Sequence, residues 1–328
     1  MKFILPLITT LLVFSHPQAL SQSKTKAFNQ AEELGIVSWY RDYEQALAQS
    51  KKQHKPVLIL FQEVPGCATC RNYGHNVLSH PLLTEAIENE FIPLAIYNNK
   101  GGADRAVLSK YNEPTWNNPV VRIVNENGEN LIPRIAGNYS ALGLYEGMIK
   151  ALKKEQITPP AYLEILGQEL VLRPDNTKEA VYSMYCFWSG EKQLGALQGV
   201  VNTEAGFSGG REVVRVTYNK DKLSKETLDR YAQRNSIRPL KAKTNFVAAS
   251  KDEDYYLNRS AYRYIPLSDI QRTKINSLLG QGLDASYLLS PSQEQWLDLL
   301  KQNKVPKVNR LGSSFRTGFL ELKRTTAL

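Results

Sequence analysis

A chain of 328 residues is long enough for two domains at about 150 residues each. Its 42% hydrophobic and 22% charged residues are ordinary for a globular protein and supply a buried core for each half. The net charge of +9 is spread along the chain. Its clusters at Lys51-Lys52-Gln53-His54-Lys55 and Lys153-Lys154 read as solvated helix faces. No recognition helix or aromatic RNA-binding strand is visible, which excludes nucleic acid as a partner.

Lys2 and the apolar run Phe3 to Phe14 precede Ala19-Leu20-Ser21, where small residues sit at cleavage spacing. The run is too short for a comfortable membrane span. Residues 1–21 are therefore expected to be a signal peptide and 22–34 a linker. This makes the protein periplasmic or secreted, without stable membrane insertion after cleavage; an uncleaved anchor is the alternative. Export leads to an oxidising compartment, where cysteines pair. Cys67, Cys70 and Cys186 are the only three cysteines and cannot all pair with one another. Cys67 and Cys70 are too close in sequence to staple much chain. Redox chemistry is the better reading, and no cofactor or metal is expected.

Residues 42–53 have helical spacing, and Val57-Leu58-Ile59-Leu60-Phe61 is the continuous apolar run of a strand buried on both faces. A helix is predicted from Cys67/Cys70 to about Leu78. Another spans Leu82–Glu90, followed by a strand over 91–96. Strand, dithiol and helix in that order put the dithiol at a helix N-terminus, where free N–H groups and the dipole favour a thiolate. Val120–Val124 and Leu131–Ile135, joined by Asn125-Glu126-Asn127-Gly128, predict a hairpin. Pro119, directly before it, can be cis. This order resembles the thioredoxin fold, in which a cis-proline faces the C-x-x-C, over residues 35–155. Val64-Pro65-Gly66-Cys67-Ala68-Thr69 is similar to a family of exported thioredoxin-like proteins. The resemblance implies that Cys67 attacks, Cys70 resolves and Pro119 supports the site. An inert Cys67–Cys70 disulfide, or a zinc site with His75 and His80, are the bland alternatives.

Leu142–Lys154 reads as an amphipathic helix ended by Pro159-Pro160, and 156–177 as a packed connector. Beyond it, Ala180–Tyr185 predicts a strand running into Cys186, and 191–197 a short helix. Strands follow at 200–207 and 212–218, separated by Ser208-Gly209-Gly210. A helix then starts at Ser224 as N-cap, with Leu223 and Leu228 as its staple. That order suggests an α+β ferredoxin-like domain over 178–305, with 306–328 as a C-terminal tail. On the second strand Glu212 lies in line with Val214, Val216 and Tyr218. Burial there would keep its carboxyl neutral and able to donate a proton. An inert core cysteine at 186 and a solvated Glu212 are the alternatives.

The same residues resemble the peptide-methionine sulfoxide reductase A family. Its Gly-Cys-Phe-Trp-Gly appears as Tyr185-Cys186-Phe187-Trp188-Ser189, with Glu191 in the usual place. Its paired glycines appear as Gly206-Phe207-Ser208-Gly209-Gly210, its catalytic glutamate motif as Glu212-Val213-Val214-Arg215-Val216, and its Gln-Tyr-Arg-Ser as Asn258-Arg259-Ser260. The resemblance implies that Cys186 attacks methionine S-sulfoxide, that Glu212 protonates its oxygen, and that Phe187, Trp188 and Phe207 bind the substrate. The chain departs from the family in two ways. The loop tyrosine between the glycines and the glutamate is absent, leaving Tyr255, Tyr256 or Tyr262 to substitute. The resolving cysteines near the C-terminus are absent too, leaving Cys67/Cys70 to recycle Cys186, with an external thiol as final donor. A general thiol-disulfide oxidoreductase with a degenerate second domain, or a non-catalytic module that captures oxidised methionine, are the alternative functions.

Overall fold

The computed structural model describes residues 24–116, 119–241 and 245–326. The expected signal peptide over 1–21 lies outside them, as does Asn118, so the peptide bond entering Pro119 is not described.

In the first half the chain order is α1 (Tyr43–Gln53), β1 (Val57–Gln62), α2 (Ala68–Asn76), α3 (Pro81–Glu90), β2 (Ile92–Tyr97), α4 (Ala103–Lys110), β3 (Val120–Val124) and α5 (Ala141–Lys154). Asp42 starts α1, its carboxylate accepting the Gln45 N–H at 2.7 Å, an N-cap worth about 1 kcal/mol. Every residue of β1 is buried, because it is the central strand: the order is β2-β1-β3, parallel to β2 and antiparallel to β3. Burial of each Leu, Ile or Phe side chain there stabilises by roughly 1.5–3 kcal/mol.

Two expectations are corrected here. The second hairpin strand, predicted over Leu131–Ile135, is reduced to single bridges, Val121 to Ile135 and Val124 to Asn130. Pro133 lies between them and offers no N–H to a ladder. The buried carboxylate of Glu113 holds this stretch instead, taking Arg122 at 2.7 Å and Arg134 at 3.0 Å. The stretch 22–34, expected as a linker, is packed where it is described. Thr25 and Trp39 exchange backbone and hydroxyl hydrogen bonds at 2.8 Å, and Leu34 is buried in the core.

The second half runs α6 (Ala161–Leu170), β4 (Thr177–Ser183), α7 (Phe187–Gly195), β5 (Val200–Ser208), β6 (Arg211–Asn219), α8 (Lys225–Arg234), β7 (Arg238–Pro239), β8 (Val247–Ala248), α9 (Tyr255–Asn258), α10 (Asp269–Gly280), α11 (Pro291–Lys301) and α12 (Phe315–Thr326). Its sheet has the order β7-β4-β6-β5-β8, all antiparallel. Gly209 and Gly210, at φ of 55° and 73°, make the β5–β6 turn, a conformation that costs glycine nothing. Ser224 caps α8 by accepting the Thr227 N–H, and Leu223 and Leu228 are both buried beneath it.

The halves share one apolar core that reaches from Leu34 to Leu322. Buried polar contacts fix their junction. Glu85 of α3 accepts the N–H and hydroxyl of Ser292 at 2.9 and 2.7 Å, and Tyr162 of α6 donates to Glu90 at 2.9 Å. Lys323 of α12 pairs with Glu88 and lies 3.8 Å from Glu85. The segment 306–328, expected as a tail, thus carries a helix docked on α3. None of the helices among the described residues is long and apolar enough to cross a membrane.

Candidate active site

Cys67 follows β1 and is the N-cap of α2; its backbone is extended. Its sulfur is exposed, that of Cys70 is buried, and the two stand 3.7 Å apart. The backbone N–H of Cys70 holds the Cys67 thiol below its ordinary value. Burial, with the adjoining Cys67, pushes Cys70 up to about 11. One thiol is therefore accessible and ready to ionise, and the other is sheltered and protonated. Gly66 permits this close packing: a Cβ there would lie 2.7 Å from the Cys70 Cβ and 3.1 Å from its sulfur. Its N–H is held by Glu33 at 2.7 Å. Glu63 brings a carboxylate near both sulfurs. His75 and His80 do not join this group: His75 lies in the last turn of α2 and His80 is the N-cap of α3, where burial lowers its imidazole to about 4. Pro119 sits just before β3.

Cys186 is built by the same device. It follows β4 and is the extended N-cap of α7. The helix starts at Phe187, earlier than the 191–197 expected, because Phe187 and Leu194 turn inward to the core on a helical face. Glu212 closes the helix start: its Oε2 accepts the Phe187 N–H at 2.7 Å. The pairing of β4 with β6 sets this contact, since Ser183 lies opposite Val213 and the Met184 N–H reaches the Glu212 carbonyl at 3.2 Å. Glu212 is half-buried rather than sunk among the apolar residues of its strand. It lies before Val214, Val216 and Tyr218 near the start of β6, and its backbone carbonyl, accepting from Met184, tethers the approach to Cys186 to the sheet. Gly190 lets α7 press on that sheet, for a Cβ there would lie 2.8 Å from the Met184 methyl and 3.1 Å from Val214.

The three expected aromatics converge beside Cys186. Phe187 is buried and meets Phe207 edge-on at 5.5 Å and Trp188 at 6.0 Å between ring centroids. Phe207 is the cross-strand partner of Glu212 and is 42% exposed, so the apolar wall is open on one side. Tyr185 is fully exposed.

A second wall comes from α9. The Tyr255 ring stacks on Trp188 at 3.8 Å, and Arg259 lies 3.6 Å over Tyr255. Burial and then the charge of Cys186 push the Tyr256 phenol up, while a hydrogen bond with Ser189 of α7 opposes them. Of the three tyrosines considered as substitutes, the fold brings Tyr255 to the tryptophan and joins Tyr256 to Ser189 of α7; Tyr262 packs against the main core. The turn is held by groups that local sequence does not disclose. Asn276 of α10 accepts the Tyr256 and Leu257 N–H groups at 3.0 and 3.1 Å. Asp254 takes a left-handed conformation, φ 51°, which aspartate tolerates better than most residues. It pairs with Arg272 at 3.2 Å, and burial raises its carboxyl to about 7 despite that guanidinium. Glu191, fully buried, accepts the Asp254 N–H at 3.4 Å. Burial and the adjacent Asp254 raise its carboxyl well above the usual range.

Comparison with known proteins agrees with both halves. A thioredoxin-like family model matches residues 38–127. Stretches of the chain are similar to the human mitochondrial peptide methionine sulfoxide reductase, 29% identical over 153 residues, covering 35% of this chain and 65% of the relative. The peptide methionine sulfoxide reductase MsrA of Methanococcus maripaludis is 39% identical over 61 residues, 13% of this chain and 39% of the relative. That of Salinispora arenicola is 34% identical over 83 residues, 20% of this chain and 38% of the relative. The matches thus span less than two thirds of each of these relatives. The chain joins a thioredoxin-like segment to one similar to peptide methionine sulfoxide reductases.

Proposed function

We propose that the protein reduces methionine S-sulfoxide at Cys186 and uses Cys67 and Cys70 to recycle that cysteine. The observation that carries this reading is the Cys186–Glu212 pair, held by the 2.7 Å bond from the Phe187 N–H within an aromatic wall. The strand-helix-strand-strand-helix-strand order from β4 to β7 reads as the ferredoxin-like fold of the reductase A type.

In this mechanism the sulfoxide methyl group rests against Phe187 and Trp188, and the oxygen faces Glu212 and Tyr256. The Cys186 sulfur attacks the sulfoxide sulfur as Glu212 delivers a proton to its oxygen and Tyr256 donates a hydrogen bond. Methionine leaves, and Cys186 keeps the oxygen as a sulfenic acid. Cys67, the accessible and readily ionised thiol, attacks that sulfur. The oxygen departs as water and a Cys67–Cys186 disulfide forms. Cys70 displaces Cys186 and closes the Cys67–Cys70 disulfide. Sulfoxide and two thiols have then become sulfide, disulfide and water. An external thiol donor supplies two electrons to restore the dithiol. We further propose that residues 1–21 direct export, which N-terminal sequencing of the protein recovered from cell fractions would test.

The central experiment measures reduction of free and peptide-bound methionine sulfoxide. It is run with the purified protein and with its Cys67→Ser, Cys70→Ser and Cys186→Ser variants. Cys70→Ser should accumulate the Cys67–Cys186 disulfide, seen by non-reducing peptide mapping, because the thiol that releases it is gone. Absence of any sulfoxide reduction would overturn the reading. Reduction without the mixed disulfide would remove the dithiol from the cycle.

A further inference from the structure

Beyond the aromatic wall the surface becomes basic. A cavity of about 460 Å³ opens between the α9 turn and the end of α11, lined in part by Arg259, Arg263, Lys301 and Lys307, with no aspartate or glutamate among its lining residues. Lys301 has an acidic neighbour, Asp298, at 3.0 Å. Arg259, Arg263 and Lys307 have no ion-pair partner among the described residues. Two buried polar atoms of the lining also lack hydrogen-bond partners, the Arg263 Nε–H donor and the Asn258 Oδ1 acceptor. Arg263 is nonetheless held in place, donating through Nη1 to the Asn258 carbonyl at 2.8 Å. Cations gathered without counter-charge around a concavity repel one another, and an anionic ligand relieves that cost.

Arg259 connects the cavity lining to the proposed active site. Arg259 is its nearest cation, stacked 3.6 Å over Tyr255 and 6.0 Å from the Trp188 ring. A guanidinium stacked on a ring keeps its N–H edge available for a carboxylate. An extended peptide advances about 3.3–3.6 Å per residue. With a methionine side chain against Trp188, the backbone brings a residue one or two positions away over Arg259, and the next ones into the cavity.

We propose that this cavity binds the acidic flank of a peptide substrate, so that the enzyme selects oxidised methionines followed or preceded by aspartate or glutamate. The proposal rests on the reductase reading, and its test separates the two. Short labelled peptides with an unoxidised methionine flanked by aspartates or by lysines are titrated by fluorescence anisotropy. Their sulfoxide forms are assayed for kcat/KM at low and high salt. Inorganic phosphate serves as a competitor. Partly exposed charge pairs favour the acidic peptide by roughly tenfold, and salt narrows the gap. Lys307→Glu, on an exposed side chain, and Arg263→Gln should each reduce the preference severalfold, while turnover of free methionine sulfoxide stays at the wild-type level.

Equal binding of acidic and basic peptides would overturn the proposal, as would a preference that survives both substitutions. Phosphate competing as well as the acidic peptide would mark a free-anion site and overturn the peptide assignment. If Arg263→Gln fails to fold, Lys307→Glu decides. If acidic peptides bind in the expected way and no sulfoxide is reduced, the reductase reading fails and the binding site stands.

Discussion

Cys67 and Cys186 occupy the same local structure twice in one chain. Each follows a strand, has extended backbone and is the N-cap of a nine-residue helix. Neither uses its side chain to cap. A helix start therefore lies beside both cysteines, with the first N–H after Cys186 taken by Glu212. What differs is the group set opposite. Cys67 meets a second sulfur at 3.7 Å. Near Cys186 the opposing group is the Glu212 carboxylate on the first helical N–H, with aromatic rings on two sides. A sulfur across the gap suits disulfide exchange, since it can displace the partner just captured. A carboxyl and an apolar wall suit removal of an oxygen from an apolar side chain. The two cysteines share a helix N-cap position, and the neighbour differs.

The comparison predicts its own largest break. Cys186→Ser removes the sulfur proposed to attack and should abolish sulfoxide reduction, because the serine hydroxyl is a far weaker nucleophile at its free pKa. Thiol exchange at Cys67 should continue, measured with a small disulfide substrate. Loss of both activities would mean that the two sites do not work as separate chemistries.

Glu212→Gln comes next. The amide can still accept the Phe187 N–H and so preserve the helix start, but it cannot supply the proton. Turnover should fall on the order of 10²-fold. An unchanged rate would leave Glu212 as a helix cap alone. Tyr256→Phe is milder. It removes one hydrogen bond to the oxygen, roughly 1 kcal/mol, and should slow turnover by about five- to tenfold with little change in KM. If Tyr255→Phe has that effect and Tyr256→Phe none, the roles assigned to the pair are reversed.

How much of this was legible in the sequence follows from where each part comes from. Both strand–cysteine–helix devices are contiguous, so their periodicity and their cysteines could be read directly. Phe187, Trp188, Phe207 and Glu212 lie within one hairpin and the helix before it, close enough for the pattern to place them together. The second wall could not be read. Glu191 and Asp254 meet across 63 residues, and Asn276 holds an α9 of four residues whose start is left-handed. A helix of one turn has no apolar period to detect. The tyrosines were visible as candidates, but only the Asp254–Arg272 pair and the Asn276 amide hold the turn that sets them against α7. The hairpin at 131–135 failed for a different reason. Alternation and a turn predicted the pairing, but Pro133 removes a ladder donor, and two arginines on buried Glu113 hold the chain without it.

The smallest expected effect lies within the dithiol and tests why its two sulfurs differ. In the reduced protein Cys67 should react with iodoacetamide first, with a pH midpoint below that of an ordinary thiol, because the Cys70 backbone N–H stabilises its thiolate. Cys70, pushed up to about 11, holds a thiolate fraction on the order of 10⁻⁴ at neutral pH and should remain unmodified. Cys70→Ala separates backbone from side chain. The alanine keeps the N–H and removes only the thiol, so the Cys67 midpoint should rise slightly and remain below the ordinary value, a change of a few-fold in rate at neutral pH. Gly66→Ala acts on the same pair sterically. Its methyl group would lie 3.1 Å from the Cys70 sulfur, and the displaced residue should carry its N–H away from Cys67 and slow alkylation further than Cys70→Ala does. The rates are read by mass spectrometry of tryptic peptides across a pH series. A Cys67 midpoint that returns fully to the ordinary value in Cys70→Ala would assign the activation to the second sulfur. The backbone account of Cys67 would then not hold by helix geometry alone.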